Sequence, residues 1–355
     1  MSSSTELLTP AAGSPAALGY RWPAEWEPQA STWLSWPHNR NSWPDKFEPV
    51  PPLFAQFVKT LARFETVNVL AGGDAVMAEA KSLVGGVPNV VLHDIPTNDA
   101  WCRDHGPTFL VEPPGVPPAL VDWEYNAWGG KYPPFDKDNA VPGHIAALQQ
   151  RRRFVPGIIM EGGGIDGNGR GTVLTTEQCL LNTNRNPKLD RSAIEQYLAD
   201  YLGARKVLWL SGGDMAGDDT DGHIDQLARF VDERTVVCAW EDDPSDENYE
   251  PLQQNFWQLQ SMTDQDDRPL RVIPLPMPRP LFNGEQRMPG SYCNFHIANG
   301  VVIVPQFDDP HDQTAREILG RLLPGRQVIG LPALDLIWGL GAYHCLSQQE
   351  PRAVG

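Results

Sequence analysis

The residues best equipped for chemistry sit in four short stretches. The densest reads Asp218-Asp219-Thr220-Asp221-Gly222-His223-Ile224-Asp225, four carboxylates around one histidine. Neighbouring carboxylates repel unless a metal, a proton or a cationic ligand lies between them, and they hold an adjacent imidazole toward its protonated, acid-competent form. On this run alone the plainer alternative is an exposed acidic turn. A second stretch, Asn98-Asp99-Ala100-Trp101-Cys102-Arg103-Asp104-His105-Gly106-Pro107, is a polar turn in which Asp104 could pair with Arg103 as ordinary surface charge. The third, Glu161-Gly162-Gly163-Gly164-Ile165-Asp166-Gly167, satisfies GxGxxG by letter. The strand-like Gly171 to Thr175 follows it, however, where a dinucleotide site needs a helix N-terminus. The fourth, Gly339-Leu340-Gly341-Ala342-Tyr343-His344-Cys345, lets a backbone approach closely and then presents a thiol.

A thiol placed beside a histidine and carboxylates from elsewhere is a candidate nucleophile; the alternative for Cys345 is a buried small hydrophobe. That second reading is the one we take for Cys102, Cys179, Cys238 and Cys293. Asp219, Asp221 and Gly222 echo a calcium loop, but positions one and twelve would be Gly217 and Ala228, so the EF-hand reading fails. A metal-dependent hydrolase could use Asp221, His223, Asp225 and Glu161 as ligands, although no HExxH-type spacing supports it.

Turns alone cannot hold such groups, so regular elements must position them. Strand-like runs rich in β formers recur at Thr32 to Trp36, Thr108 to Glu112, Val173 to Glu177, Val236 to Trp240 and Val301 to Pro305. Their starts lie about 65 residues apart, the first interval being longer, which suggests five units of similar length. Between them, Leu53 to Phe64, Ser192 to Leu202 and Thr314 to Leu323 show helical spacing. Asp190 is placed to cap the second of these, with Gly203 to stop it, and Pro324 ends the third. The alternation predicts an α/β or α+β class with its chemistry carried on turns. Loops are expected at Pro113 to Pro118, Lys131 to Pro142, Asp242 to Tyr249 and Met277 to Pro289.

A chain of 355 residues that is 41% hydrophobic can bury one large core or two ordinary ones. No linker divides it after Gly19, which favours a single domain over 19–355 behind a flexible tail over 1–18. With 34 prolines and 32 glycines, long helices should be few. The net charge of −17 disfavours nucleic acid and anionic membrane as partners and favours a small cation. Five cysteines without a CxxC pair argue against a disulfide scaffold or structural zinc. Met1 to Leu18 lacks the marks of a secretion signal, and no stretch approaches the roughly 18 apolar residues of a membrane span, so the expected compartment is the cytoplasm.

Taken in order, several segments resemble the agmatine deiminases and their peptidyl-arginine deiminase relatives in the guanidine-modifying superfamily, from about Gly19 to Pro351. They are Trp101 to Asp104, Tyr125 to Gly130, Glu161 to Gly163, Leu174 to Glu177, Asn184 to Pro187, Asp219 to Asp225, Ser291 to Phe295, and His344-Cys345. The resemblance implies the pentein fold, a five-bladed α/β propeller of ββαβ units around a central active site. It also implies a small cationic guanidino substrate and no metal or organic cofactor; homo-oligomerisation is left open. By the same resemblance Asp104 and Asp225 clamp the guanidinium, Cys345 attacks its carbon, and His223 serves as acid and then base. Glu161 orients and charges His223, while Trp101 is either a wall for the substrate or simple packing. The implied activity is hydrolysis of agmatine to N-carbamoylputrescine and ammonia through a thiouronium on Cys345. Deimination of arginine, peptidyl-arginine or another guanidine, or silent guanidine binding, are the alternatives. The family's usual ending is Gly-Gly-Gly-Asn-Ile-His-Cys; here Leu340, Ala342 and Tyr343 replace three of those residues, and His296 stands where Tyr is common. These departures bear on the choice of substrate.

Overall fold

Five small sheets repeat one construction, an antiparallel pair followed by a parallel pair. The computed structural model describes residues 7–111, 113–116, 118–213 and 215–353. In sequence order, four of the sheets are Thr108–Leu110 with Ala119–Val121 and Arg152–Phe154; Ile165–Gly167 with Thr172–Thr176 and Lys206–Leu210; Ala228–Phe230 with Thr235–Trp240 and Arg271–Pro276; and His296–Ala298 with Val301–Gln306 and Gln327–Pro332. The remaining sheet joins the two ends of the chain. Ser347–Pro351 runs antiparallel to Gln29–Ser35, which runs parallel to Thr66–Leu70, with Val90–His93 added beyond.

A parallel pair cannot be closed by a tight turn, so each middle strand reaches its parallel neighbour through a crossover containing a helix. These helices are Val50–Leu61, Asp136–Gln149, Arg191–Leu202, Tyr249–Gln260 and His311–Leu322. The third shows the local logic in full. Asp190 accepts the N–H of Ala193 at 2.9 Å, and Gly203 ends the helix with φ of 72°. Between these caps Ile194, Leu198 and Leu202 are buried in one apolar cluster. Truncating Leu198 to alanine would cost about 2–5 kcal/mol.

The mixed α/β class holds, and the structure refines the sequence reading in several places. Thr108–Leu110 is an edge strand and Ala119–Val121 the middle one of its sheet, whereas the other four strand-like runs fall on middle strands. Glu112 and Pro117, which belonged to the expected strand and loop there, lie outside the described residues. The stretch from Lys131 to Pro142, expected as a loop, contains the start of the helix Asp136–Gln149 despite Pro142 inside it. That start is held from a distance. Asn98 Oδ1 accepts the N–H groups of Lys137 and Asp138 at 2.7 and 3.1 Å, and Asp138 Oδ1 accepts those of Asn98 and Asp99. Such long-range satisfaction of the first-turn donors leaves no local signature. The expected loop from Met277 to Pro289 carries a hairpin, Leu281–Asn283 with Gln286–Met288. Of the expected tail, residues 1–6 lie outside the described residues. Beyond them Leu8 donates to the Arg205 carbonyl, Ala11 donates to Asp200, and Ala16–Leu18 forms a short 3-10 turn, so this part is held against the body. Among the described residues no helix is long and apolar enough to cross a membrane.

Candidate active site

Each sheet opens its antiparallel strand just after a turn, and all five turns deliver a side chain or backbone group to one place. Asp104 precedes Thr108–Leu110, Glu161 precedes Ile165–Gly167, and His223 and Asp225 precede Ala228–Phe230. Asn294 precedes His296–Ala298, and Cys345 precedes Ser347–Pro351. Residues spread over more than two hundred positions thus become neighbours because they occupy the same place in like-built units.

The sulfur is held on one side. Asn294 Nδ2 donates to Cys345 Sγ at 3.0 Å and to Asp225 Oδ2 at 3.3 Å, and the Cys345 thiol donates to the same Asp225 oxygen at 3.4 Å. Asn294 Oδ1 collects the backbone N–H groups of Ala342, His344 and Cys345 at 3.1, 3.1 and 3.3 Å, so one amide fixes the whole cysteine turn. Burial, reinforced by Asp225 and Asp104, pushes the thiol well above its usual range. Behind Asp225 stands His344, with Nδ1 2.8 Å from Asp225 Oδ2 and Nε2 3.0 Å from Glu25 Oε2. Burial and the Arg103 and Arg229 guanidiniums push His344 down to about 4, against the Glu25 and Asp225 carboxylates that flank the ring. Glu25 is itself buried. It pairs with Arg229, accepts the Ile297 N–H at 2.6 Å and sits 3.4 Å from His296. Burial alone would raise its pKa, but Arg229 and His344 outweigh that and hold the carboxyl well below the usual range.

A second group is Asp104, His223 and Glu161. Asp104 Oδ1 accepts the Gly163 N–H at 2.9 Å and lies 3.7 Å from His223 Nδ1, while Trp128 Nε1 donates to Oδ2 at 3.1 Å. A β-carbon on Gly163 would lie 2.6 Å from His223 Nδ1 and 2.7 Å from Asp104 Oδ1, so only glycine admits this approach. Burial pushes Asp104 up to about 6; His223 opposes that, and Asp225 and Glu161 add to it. For His223 burial alone would lower the pKa, but Asp104, Cys179 and Glu161 outweigh it and hold the ring well above its ordinary value. Glu161 Oε1 accepts Arg185 Nε at 2.9 Å. Among the described residues, Glu161 Oε2, Asp225 Oδ1 and both ring nitrogens of His223 make no hydrogen bond, though all are buried. Buried polar atoms of this kind carry a desolvation cost and point to a ligand that completes them.

Cys345, 5% exposed, and Asp104 open on a cavity of about 760 Å³, whereas Asp225, His223 and Glu161 are at most 1% exposed and stand behind its wall. Trp101 and Trp128 also line it. Trp101 additionally stacks on Trp43, ring centroids 5.2 Å apart, so it is both wall and packing.

The acidic loop behaves differently from the expectation that its crowded charge needs an external cation. Asp221 pairs with Arg185 and with Lys131 at 2.9 Å, and Asp218 accepts the hydroxyl of Thr220 and the N–H of Gly222, both at 2.7 Å. Asp219 does line the cavity, accepting from the Tyr132 hydroxyl. Of the alternative metal set, Asp221 is engaged by Arg185 and Lys131. The donors found together among the described residues are Glu161, Cys179 and His223, within 4.8 Å of one another. Cys102, Cys179, Cys238 and Cys293 are buried free thiols, as expected.

The departures in the final segment have separate fates. Ala342, Tyr343 and His296 are buried, with the Tyr343 hydroxyl on the Pro332 carbonyl and His296 between Ser347 and Thr32 at 3.0 and 3.2 Å. Leu340 alone of the four lines the cavity, and it does so at φ of 72°, a conformation that costs a side-chain-bearing residue about 1–2 kcal/mol.

Sequence reasoning missed Glu25, His344 and Arg185 as members of this site and gave Asn294 no role. Asn294, Arg185 and His344 lay inside recognised motifs, but Glu25 sits in a proline-rich stretch and carries no local signal.

Like-built sheets that bring a thiol, an imidazole and two buried acids to one cavity define a class of protein, and the chain belongs to the Porphyromonas-type peptidyl-arginine deiminase family, whose model matches residues 21–351. Within it the chain is similar to the agmatine deiminase of Pseudomonas syringae pv. syringae, 39% identical over 97% of this chain and 99% of the relative. Among solved structures it is similar to the agmatine deiminase of Enterococcus faecalis, TM-score 0.90 and 34% identity, covering 98% of this chain and 100% of that one. The C. jejuni agmatine deiminase with substrate bound superposes with TM-score 0.86 and 32% identity over 95% and 97% of the two chains.

Proposed function

We propose that this chain is an agmatine deiminase, hydrolysing agmatine to N-carbamoylputrescine and ammonia. The observation that carries the reading is a thiol on a cavity wall beside Asp225, with Asp104 lining the same cavity 3.7 Å from His223. A guanidinium carbon is a poor electrophile because its charge is shared over three nitrogens, so it must be immobilised. Asp225 and Asp104 accept its N–H groups and hold the carbon before the sulfur. The incoming cation lowers the pKa of a thiol that burial and two carboxylates keep protonated in the free protein, so the thiol gives up its proton to solvent as the substrate binds.

The thiolate adds to the carbon, and collapse of the adduct breaks a terminal C–N bond. His223, held protonated by its carboxylate neighbours, gives its proton to the departing nitrogen. Ammonia leaves, and an S-alkylthiouronium remains on Cys345. The now neutral His223 takes a proton from water, the hydroxyl adds to the same carbon, and the C–S bond breaks as the hydroxyl proton passes to solvent, giving the ureido product and the thiolate. Glu161 lies behind His223 and favours its charged form, as a carboxylate does in a triad. Asp219 offers negative charge on the cavity wall for the far ammonium of agmatine, and Trp101 an aromatic face.

We also infer that the five sheets stand as blades of a pentein propeller around this cavity. The support is that each contributes at the same place, the turn before its antiparallel strand.

Ammonia release from agmatine, arginine and a blocked arginine peptide, with Cys345→Ala in parallel, tests the activity. Release fastest from agmatine and lost in the variant is expected. Release from arginine or the peptide alone would change the substrate, and release from none would leave a guanidine-binding protein. Release that persists in the variant would remove Cys345 from the mechanism.

A further inference from the structure

We propose that Leu340 is a specificity-determining residue, the apolar stop that makes this cavity select an unbranched guanidinoalkyl chain over one carrying a carboxylate or amide branch. The inference rests on the agmatine reading and adds which residue enforces it. Gly339 and Gly341 lie on the tryptophan pair: a β-carbon on Gly339 would meet Trp43 at 2.7 Å, and one on Gly341 would meet Trp101 at 2.5 Å and the Cys345 β-carbon at 3.0 Å. The backbone therefore passes flat over the indole, next to the cysteine turn. Leu340, between two residues aimed at that ring, joins Trp338 on the cavity wall. Its carbonyl accepts from Gln226, the neighbour of Asp225, at 3.4 Å.

A leucine at φ of 72° sits where glycine would be unstrained. Nothing in the local backbone calls for a side chain there, and backbone strain retained beside a site is a pointer to function. A β-carbon on Gly341 would lie 3.0 Å from the nucleophile's own β-carbon and consecutive Cα atoms are about 3.8 Å apart, so the leucine stands beside the first few methylenes of a chain whose guanidinium is on Cys345. There it offers methyl groups to methylenes and neither a donor nor a cation to a carboxylate. A branched substrate must bury an unpaired polar group against it.

The test compares kcat and KM for agmatine and arginine in the wild type, Leu340→Gly and Leu340→Ala. Both variants remove the apolar stop, and alanine keeps the non-glycine backbone restriction. In both, KM for agmatine should rise about three- to ten-fold with a smaller change in kcat, and the preference for agmatine over arginine should fall at least about tenfold. Wild-type failure to turn over agmatine would sink the function itself, not this assignment. Wild-type turnover with an unchanged preference in both variants would overturn the assignment. A shift seen with glycine but not alanine would overturn it too, since loosened backbone rather than the lost side chain would then be responsible.

Discussion

Two sets of carboxylates lie within a few residues of each other and do opposite things. Asp218 and Asp221 spend their oxygens inside the protein, on Thr220, Gly222, Arg185 and Lys131. Asp225, four residues further on, is fully buried with one oxygen on His344 and Asn294 and the other without a partner among the described residues. Asp104 likewise sits buried, with its pKa pushed up to about 6. The difference teaches that charge density in the sequence does not say which acids of a run hold a cation. What says so is a buried acid whose surroundings leave its charge incompletely answered, whereas Asp218 is answered by its own loop and Asp221 by residues from elsewhere in the chain.

The comparison breaks first at Asp225. Asp225→Asn should lower kcat/KM for agmatine by about 10³-fold or more, because an amide cannot supply the charge that holds the guanidinium. A fall below tenfold would place Asp225 with the structural acids. Glu25 is the next largest case. Glu25→Ala leaves the buried Arg229 with only the Asp166 carboxylate, 3.5 Å away, and should cost about 3–5 kcal/mol in urea unfolding, whereas an unchanged midpoint would show the buried network to be dispensable.

Asp104 gives the comparison a pH signature. Its ionised form binds the guanidinium, and in the free protein it takes a proton as pH falls through about 6. The logarithm of kcat/KM should therefore fall with decreasing pH below about 6, and Asp104→Asn, already weak, should lose that limb. A limb retained in the variant would assign it to another group. The loop acids should respond far less. Asp221→Asn removes one of two carboxylates on Arg185 and should cost about 1–2 kcal/mol of stability with activity within a few fold. Smallest of all, Lys131→Ala removes a part-exposed pair and should cost at most about 1 kcal/mol.

The sequence made legible what was locally encoded. The helix Arg191–Leu202 was readable because its cap, stripe and stop are contiguous. Cys345, His223, Asp225, Asp104 and Glu161 stood in polar stretches that the residues singled out, with their roles implied by the family resemblance, and the structure brings all five together. What stayed hidden was settled by distant partners. Helix Asp136–Gln149 reads as proline-broken loop because its first-turn donors are satisfied by Asn98. Glu25 carries no local signal because its partners Arg229 and His344 lie two and three hundred residues away. The neutralisation of Asp221 by Arg185 was hidden for the same reason: the pairing depends on two sheets meeting.

The central claim, that Cys345 bonds to the guanidinium carbon of the substrate and ammonia is displaced from it, is tested most directly by acid-quenching the protein during turnover of agmatine and measuring peptide masses. The account predicts an increase equal to agmatine minus ammonia on the peptide carrying Cys345, absent from Cys345→Ala. Turnover with that peptide unmodified and the adduct on another residue would contradict it.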